Sequence, residues 1–178
     1  MDESFPIAGL ASLVDKEAAA MDEQAFRSLY DATARPILAY LVGVTGRKEV
    51  ADDVLQETYC RFLVRQPPSM SEDETRRYLF RIASNLLNDR WRRGDDEPWS
   101  EVPEDGLSVD VDTQMDVRAA MRGLKSRERE LLWLAYVEGM NHTEIAAATG
   151  LNALSIRMLL FRARRKAAEL LLPTRRAI

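Results

Sequence analysis

Six arginines crowd residues 76–93 (Arg76, Arg77, Arg81, Arg90, Arg92 and Arg93), and Asp89 is the only acid among them. Tyr78, Phe80 and Trp91 are interleaved. Guanidinium groups follow a phosphate backbone while aromatic rings stack on unpaired bases, so the set fits single-stranded nucleic acid. The helical spacings Leu79–Ile82–Leu86 and Phe80–Ala83–Leu87 assign Phe80 to a core instead, and leave Trp91, beside three arginines, as the surface candidate.

A second basic set lies in residues 141–166, NHTEIAAATGLNALSIRMLLFRARRK. On a helix beginning near residue 153, Ile156, Leu160, Ala163 and Ala167 project within about 40° of one direction and form a core face. Arg157, Met158, Phe161, Arg162 and Arg165 fall on the opposite side. Arginines there suit phosphates and guanine edges; Met158 and Phe161 either meet thymine methyls or pack on the rest of the chain or a partner. The bland reading of this helix is a solvated basic face in an ordinary bundle. A third set, Asp52, Asp53, Gln56 and Glu57, makes a short acidic face that is either solvated or docks on a basic protein surface.

Catalytic sets are missing from the sequence: there is no glycine-rich phosphate loop, HExxH or nucleophile elbow. One cysteine, Cys60, cannot form an internal disulfide, and with one histidine, His142, a structural zinc site is not expected. Cys60 reads as a quiet, semi-buried thiol and His142 as a capping or surface residue. Neither an enzyme nor a bound metal or cofactor is expected. No apolar run approaches the roughly 18–20 residues that span a bilayer. The opening MDESFPIAGL has acids and no basic n-region, so the expected location is cytoplasmic, with no membrane partner.

These side chains need helices to position them, and the composition supplies helix formers: Ala, Leu, Arg and Glu dominate the 178 residues. The first helix is expected from about Ala25, kinked or divided at Pro36 and ended by Gly43 and Gly46. A second covers about 48–64. A third covers about 73–93, N-capped by Ser71 with Glu74 completing a capping box. Further on, 113–123, 126–138 (capped at Ser126 and stopped at Gly139), 142–149 and about 153–171 read as helices. The small residues Ala146 and Ala147 and the turn at Gly150 give helix-turn-helix grammar to the last pair.

Net charge is −4, which taken as a total argues against nucleic acid. Its distribution argues otherwise. Residues 95–117 hold nine acids and no base, with Pro98, Pro103, Gly94 and Gly106 in or beside them, and read as an acidic flexible linker. Residues 118–178 hold 12 bases against 5 acids. The expected fold is therefore all-α: two small helical domains, 22–94 and 118–172, joined by the linker 95–117. Residues 1–21 are an N-terminal extension and 173–178 a tail.

Taken in order, ADDVLQETYCRFL, RRYLFRIASNLLNDRWRR and LKSRERELLWLAYVEGMNHTEIAAATGL…IRMLLFRARRKA resemble regions 2.2, 2.3–2.4 and 4 of bacterial RNA polymerase sigma factors of the extracytoplasmic function (ECF) group of the sigma-70 family. The resemblance covers nearly all of residues 22–171. It implies a transcription initiation factor that directs core polymerase to promoters. Asp52, Asp53, Leu55, Gln56, Glu57 and Phe62 would dock on the clamp helices of the polymerase largest subunit, and region 4 on its flap. The loop 65–75 with Arg76, Arg77, Asn85, Asn88, Asp89, Trp91, Arg92 and Arg93 would hold the melted −10 element. Asn152, Ser155, Arg157, Met158, Phe161, Arg162 and Arg165 would face the −35 duplex. An anti-sigma factor is a further implied partner. The chain departs from the family where Met158 and Leu159 replace a small polar and a basic residue; by projection Leu159 lies at the edge of the core face. Two rival classes remain: a stand-alone helix-turn-helix repressor, and an anti-sigma or other polymerase-binding regulator without promoter contacts.

Overall fold

The computed structural model describes residues 21–65, 70–95 and 111–171, with backbone only for 111–116. The N-terminal extension, residues 66–69 of the loop, most of the acidic linker and the tail lie outside the described residues. Seven helices and no strand occur among the described residues: α1 (Glu23–Thr45), α2 (Lys48–Arg65), α3 (Glu72–Arg93), α4 (Val111–Gly123), α5 (Ser126–Tyr136), α6 (His142–Thr149) and α7 (Ala153–Leu171).

The helix ends follow local chemistry. Asp22 caps α1 by accepting the Ala25 N–H at 2.7 Å. Ser71 and Glu74 form the expected reciprocal box at the start of α3, and Asn141 with Glu144 forms another at α6. Ser126 does not cap α5. Lys125 is the N-cap residue, its backbone N–H donating to Glu128 at 2.7 Å. Gly139 (φ 66°) lies beyond Tyr136, where α5 ends.

Two further expectations fail in α1. Pro36 does not divide it, because the hydrogen bond proline cannot donate falls at exposed Ala32, while buried Thr33, Ile37, Tyr40 and Leu41 anchor the helix on either side. Gly43 does not end it either. A Cβ there would lie 2.2 Å from Trp133 Cζ3, so this glycine is a close-approach site. The stop is Gly46, at φ 65°, whose N–H returns to Val42 O.

α1, α2 and α3 pack on one another, and α4, α5 and α6 each pack on α7. The halves are also joined: α1 lies on α5 and α3 on α6. One buried cluster runs continuously from Ile37 and Phe80 in the first half to Leu131, Leu134, Ile145, Ile156 and Leu160 in the second. No single helix among the described residues is long and apolar enough to cross a membrane.

Candidate nucleic-acid and protein interfaces

On α2, apolar residues Val54, Leu55, Thr58, Tyr59 and Phe62 turn inward, and Tyr59 is fixed by a 2.7 Å hydrogen bond to Thr33 of α1. That orientation sends Asp53, Gln56 and Glu57 to solvent, with Asp52 half-buried. Glu57 accepts from Arg61 Nε at 2.7 Å. Leu55 and Phe62 are 6% and 3% exposed and pack inward beneath the acidic face. Cys60 is exposed rather than semi-buried. Leu63 and Val64, the latter 84% exposed, form an apolar border beside the acidic face.

The arginine-rich helix α3 buries Leu79, Phe80, Ile82, Ala83, Leu86 and Leu87, as the spacing predicts. Its polar side divides. Asn85, Arg92 and Arg93 are exposed; Asp89 pairs with Arg92 at 3.1 Å and Arg93 with Asp95 at 3.5 Å. The remaining candidates meet the second half of the chain. Arg76 pairs with Glu138 at 2.5 Å and Arg77 with Glu144 at 3.0 Å. Asn88 is buried, its Nδ2 donating to Thr149 O at 3.1 Å while its Oδ1 has no partner among the described residues. Trp91 is half-buried with the Arg127 guanidinium 5.0 Å over its ring, so it is not the open surface aromatic that its neighbours suggest.

Glu130 is the centre of this junction. It is fully buried on α5, accepting from Ser84 Oγ at 2.5 Å, Tyr40 Oη at 3.0 Å and Arg127 at 2.6 Å. Burial pushes its carboxyl above the ordinary value, against the opposing pull of Arg127 and the two hydroxyls. Beside it, buried Arg129 donates to Val44 O at 2.6 Å, a carbonyl in the last turn of α1, and to Leu124 O at 2.5 Å. A cation there also suits the negative end of the α1 dipole. Neither residue stands out in the sequence, where SRERE reads as a solvated helix start. The available signal is spacing: Glu130 lies four residues before Leu134, on the core side.

α6, the turn and α7 form the second surface. Gly150 takes φ 71°, and Asn152 Oδ1 accepts the Leu154 N–H at 2.9 Å, tying off the start of α7. Ile145 and Ala148 carry the close packing of α6, with Ala146 half-buried; Ala147, expected there, is exposed. On α7, Ile156, Leu160 and Ala163 are buried. Leu159 is half-buried against the same core, as its projection predicts. Arg157, Met158, Phe161, Arg162 and Arg165 are exposed together with Asn152, while Ser155 is half-buried. Arg165 pairs with Glu169 at 2.9 Å; Arg157 and Arg162 make no ion pair among the described residues. Met158 and Phe161 therefore do not pack on the other half. Leu154, absent from the sequence-based set, is 90% exposed on the same side.

Among the described residues no group of three or more His, Cys, Asp or Glu side chains could hold a metal ion.

Residues 29–97 match the family model for sigma-70 region 2, and residues 114–166 match that for sigma-70, region 4. Together they take in more than half of the chain. The ECF RNA polymerase sigma factor SigL of Mycobacterium tuberculosis is 28% identical over 146 residues, 75% of this chain and 81% of SigL. The ECF RNA polymerase sigma factor BldN of Streptomyces coelicolor is 27% identical over 177 residues, 92% of this chain and 66% of BldN. In fold the chain is similar to the sigma factor RpoE of Bartonella quintana, solved in complex with the anti-sigma factor NepR. The TM-score is 0.66 at 21% identity, over 82% of this chain and 96% of that one.

Proposed function

This chain belongs to the sigma-70 family, in its ECF group, and from that premise we propose how its surfaces divide the work of promoter recognition. Asp52, Asp53, Gln56 and Glu57 dock on the clamp helices of core RNA polymerase, with Leu63 and Val64 at the margin. Asn85, Asn88, Asp89, Trp91 and the arginines of α3 hold the unpaired −10 strand. The outer face of α7 lies in the major groove of the −35 duplex, and the second half also meets the polymerase flap. The acidic linker threads toward the active-site and RNA-exit channels of the polymerase. Its charge suits a segment that occupies a basic channel.

The observation that supports this reading is the presence of two different arginine-rich helices in one chain. One, α3, carries exposed arginines with Trp91 half-buried beside them, a set that suits a single strand once Trp91 is uncovered; the other, α7, belongs to a helix-turn-helix with an exposed basic outer face, suited to a duplex. A stand-alone repressor needs only the second, and a polymerase-binding regulator needs neither. The contacts of Arg76, Arg77, Asn88 and Trp91 with the second half add a condition: strand capture requires those four to exchange Glu138, Glu144, Thr149 and Arg127 for DNA. An anti-sigma factor would act by favouring the joined arrangement. Function of this kind belongs in the cytoplasm and needs no cofactor.

Run-off transcription with purified core polymerase on a promoter library tests the reading. Specific transcripts that depend on the chain are expected. Absence of initiation at every promoter, together with duplex binding by the chain alone at a half-site repeat, would point to the repressor instead.

A further inference from the structure

We propose that α7 reads thymine C5-methyl groups through an apolar ridge made by Leu154, Met158 and Phe161. The proposal deepens the −35 reading and rests on it. At about 100° per residue, these positions (i, i+4, i+7) fall within roughly 60° of one another, directly opposite Ile156, Leu160 and Ala163. They are 90%, 51% and 57% exposed, while the three opposite them are at most 5% exposed. The ridge is thus the part of α7 that stands farthest from the protein.

A row of three exposed apolar side chains is unfavourable in water and marks a contact surface. Its charge surroundings say which kind. Exposed Arg157 and Arg162 flank it on either side, and Arg165 continues it toward the helix C-terminus. Acids are missing from residues 145–168, and Glu169 already pairs with Arg165. An apolar strip between cations complements a groove with phosphates on its walls and methyl groups on its floor. In the major groove the only apolar base substituent is the thymine methyl. Leu154 and Met158 also stand in the first two turns of α7, the part of a recognition helix that reaches base edges. Leu154 and Met158 carry no donor for base edges, so discrimination comes from methyl contact, with the arginines supplying phosphate or guanine contacts.

The test uses the full chain bound to core polymerase and a −35 duplex selected by it from a random pool. Each thymine is replaced in turn by deoxyuridine, which pairs identically but lacks the methyl. At two or more positions the replacement is expected to weaken binding about fourfold, the effect of withdrawing one methyl-sized group from burial. Leu154→Ala and Met158→Ala should weaken the thymine duplex similarly and abolish sensitivity to deoxyuridine at one position each. If deoxyuridine is tolerated everywhere while Arg157→Ala still weakens binding, the ridge does not read methyls, although α7 still binds the duplex. Insensitivity to both changes would instead overturn the −35 reading itself. DNA binding unchanged in Leu154→Ala and Met158→Ala, with loss of binding to an anti-sigma protein, would make the occupant a protein and overturn the proposal. All the variants are at exposed positions, and an unchanged thermal melt verifies that they fold.

Discussion

α3 and α7 are both long, arginine-rich amphipathic helices, of 22 and 19 residues, yet their polar faces have different neighbours. Four of the candidate side chains on α3 reach into the second half of the chain, through two ion pairs, a hydrogen bond and a cation–π contact. Among the described residues, the outer face of α7 makes no ion pair outside its own helix, where Arg165 pairs with Glu169. The difference comes from packing, since α3 is a core helix of the first half and also lies on α6, whereas α7 closes one side of the molecule. A basic helix can therefore be a nucleic-acid surface by composition and be engaged by protein in a given arrangement. In this arrangement the outer face of α7 is exposed, whereas part of the polar face of α3 is engaged by the second half.

The largest blow to that contrast should come from Glu130→Ala. It leaves Tyr40, Ser84 and Arg127 without their buried acceptor and should cost about 3–5 kcal/mol in urea unfolding. Next comes Gly43→Ala, whose methyl would overlap the Trp133 ring. Overpacking of this kind costs about 1–3 kcal/mol, and here it should show as lost stability with a shift in tryptophan emission. Both variants should raise strand binding by the chain alone if the halves come apart at that junction. On the other surface, Arg157→Ala or Arg162→Ala should weaken −35 duplex binding by about 1–3 kcal/mol with no loss of stability. Unchanged promoter occupancy in both would remove these residues from the interface.

Acidity sharpens the contrast further. The folded protein holds the Glu130 proton more tightly than the unfolded chain, so stability should fall as pH rises from the ordinary glutamate value of 4.5 through the raised folded value. Glu130→Gln should flatten that slope. Glu74 and Glu128 are lowered, by hydrogen bonds from Ser71 and from Lys166 and Lys125 that outweigh Glu128's partial burial, so their support is lost only below 4.5. The two pH windows therefore separate. The smallest effect belongs to Glu138→Gln with Glu144→Gln. Glutamine keeps an acceptor for Arg76 at the buried Glu138 side chain and for part-exposed Arg77 at Glu144, so stability should change little while strand binding by the chain alone increases.

What the sequence shows directly is what neighbouring residues decide. The α3 box of Ser71 and Glu74, the core spacing of Phe80 and Leu87, and the outward turn of Arg157 and Phe161 all follow from three- and four-residue periodicity. The junction does not. Tyr40 and Glu130 are 90 positions apart, so no local pattern announces that α5 carries a buried carboxylate into the first half. Gly43 looks like a helix terminator until Trp133 is seen against it. Leu55 and Phe62 belong to a docking motif by resemblance, but their apolar character is used inward. Leu154 belongs to neither face read from the sequence of α7 and proves the most exposed of its ridge.

The most direct measurement is parallel titration of a −10 single strand and a −35 duplex with the chain alone and with the chain bound to core polymerase. The chain alone should bind the duplex and leave the strand, and addition of core polymerase should confer strand binding. Equal capture of the strand by the chain alone, or no capture by the complex, would contradict the assignment of α3 as a strand surface held in reserve by the second half.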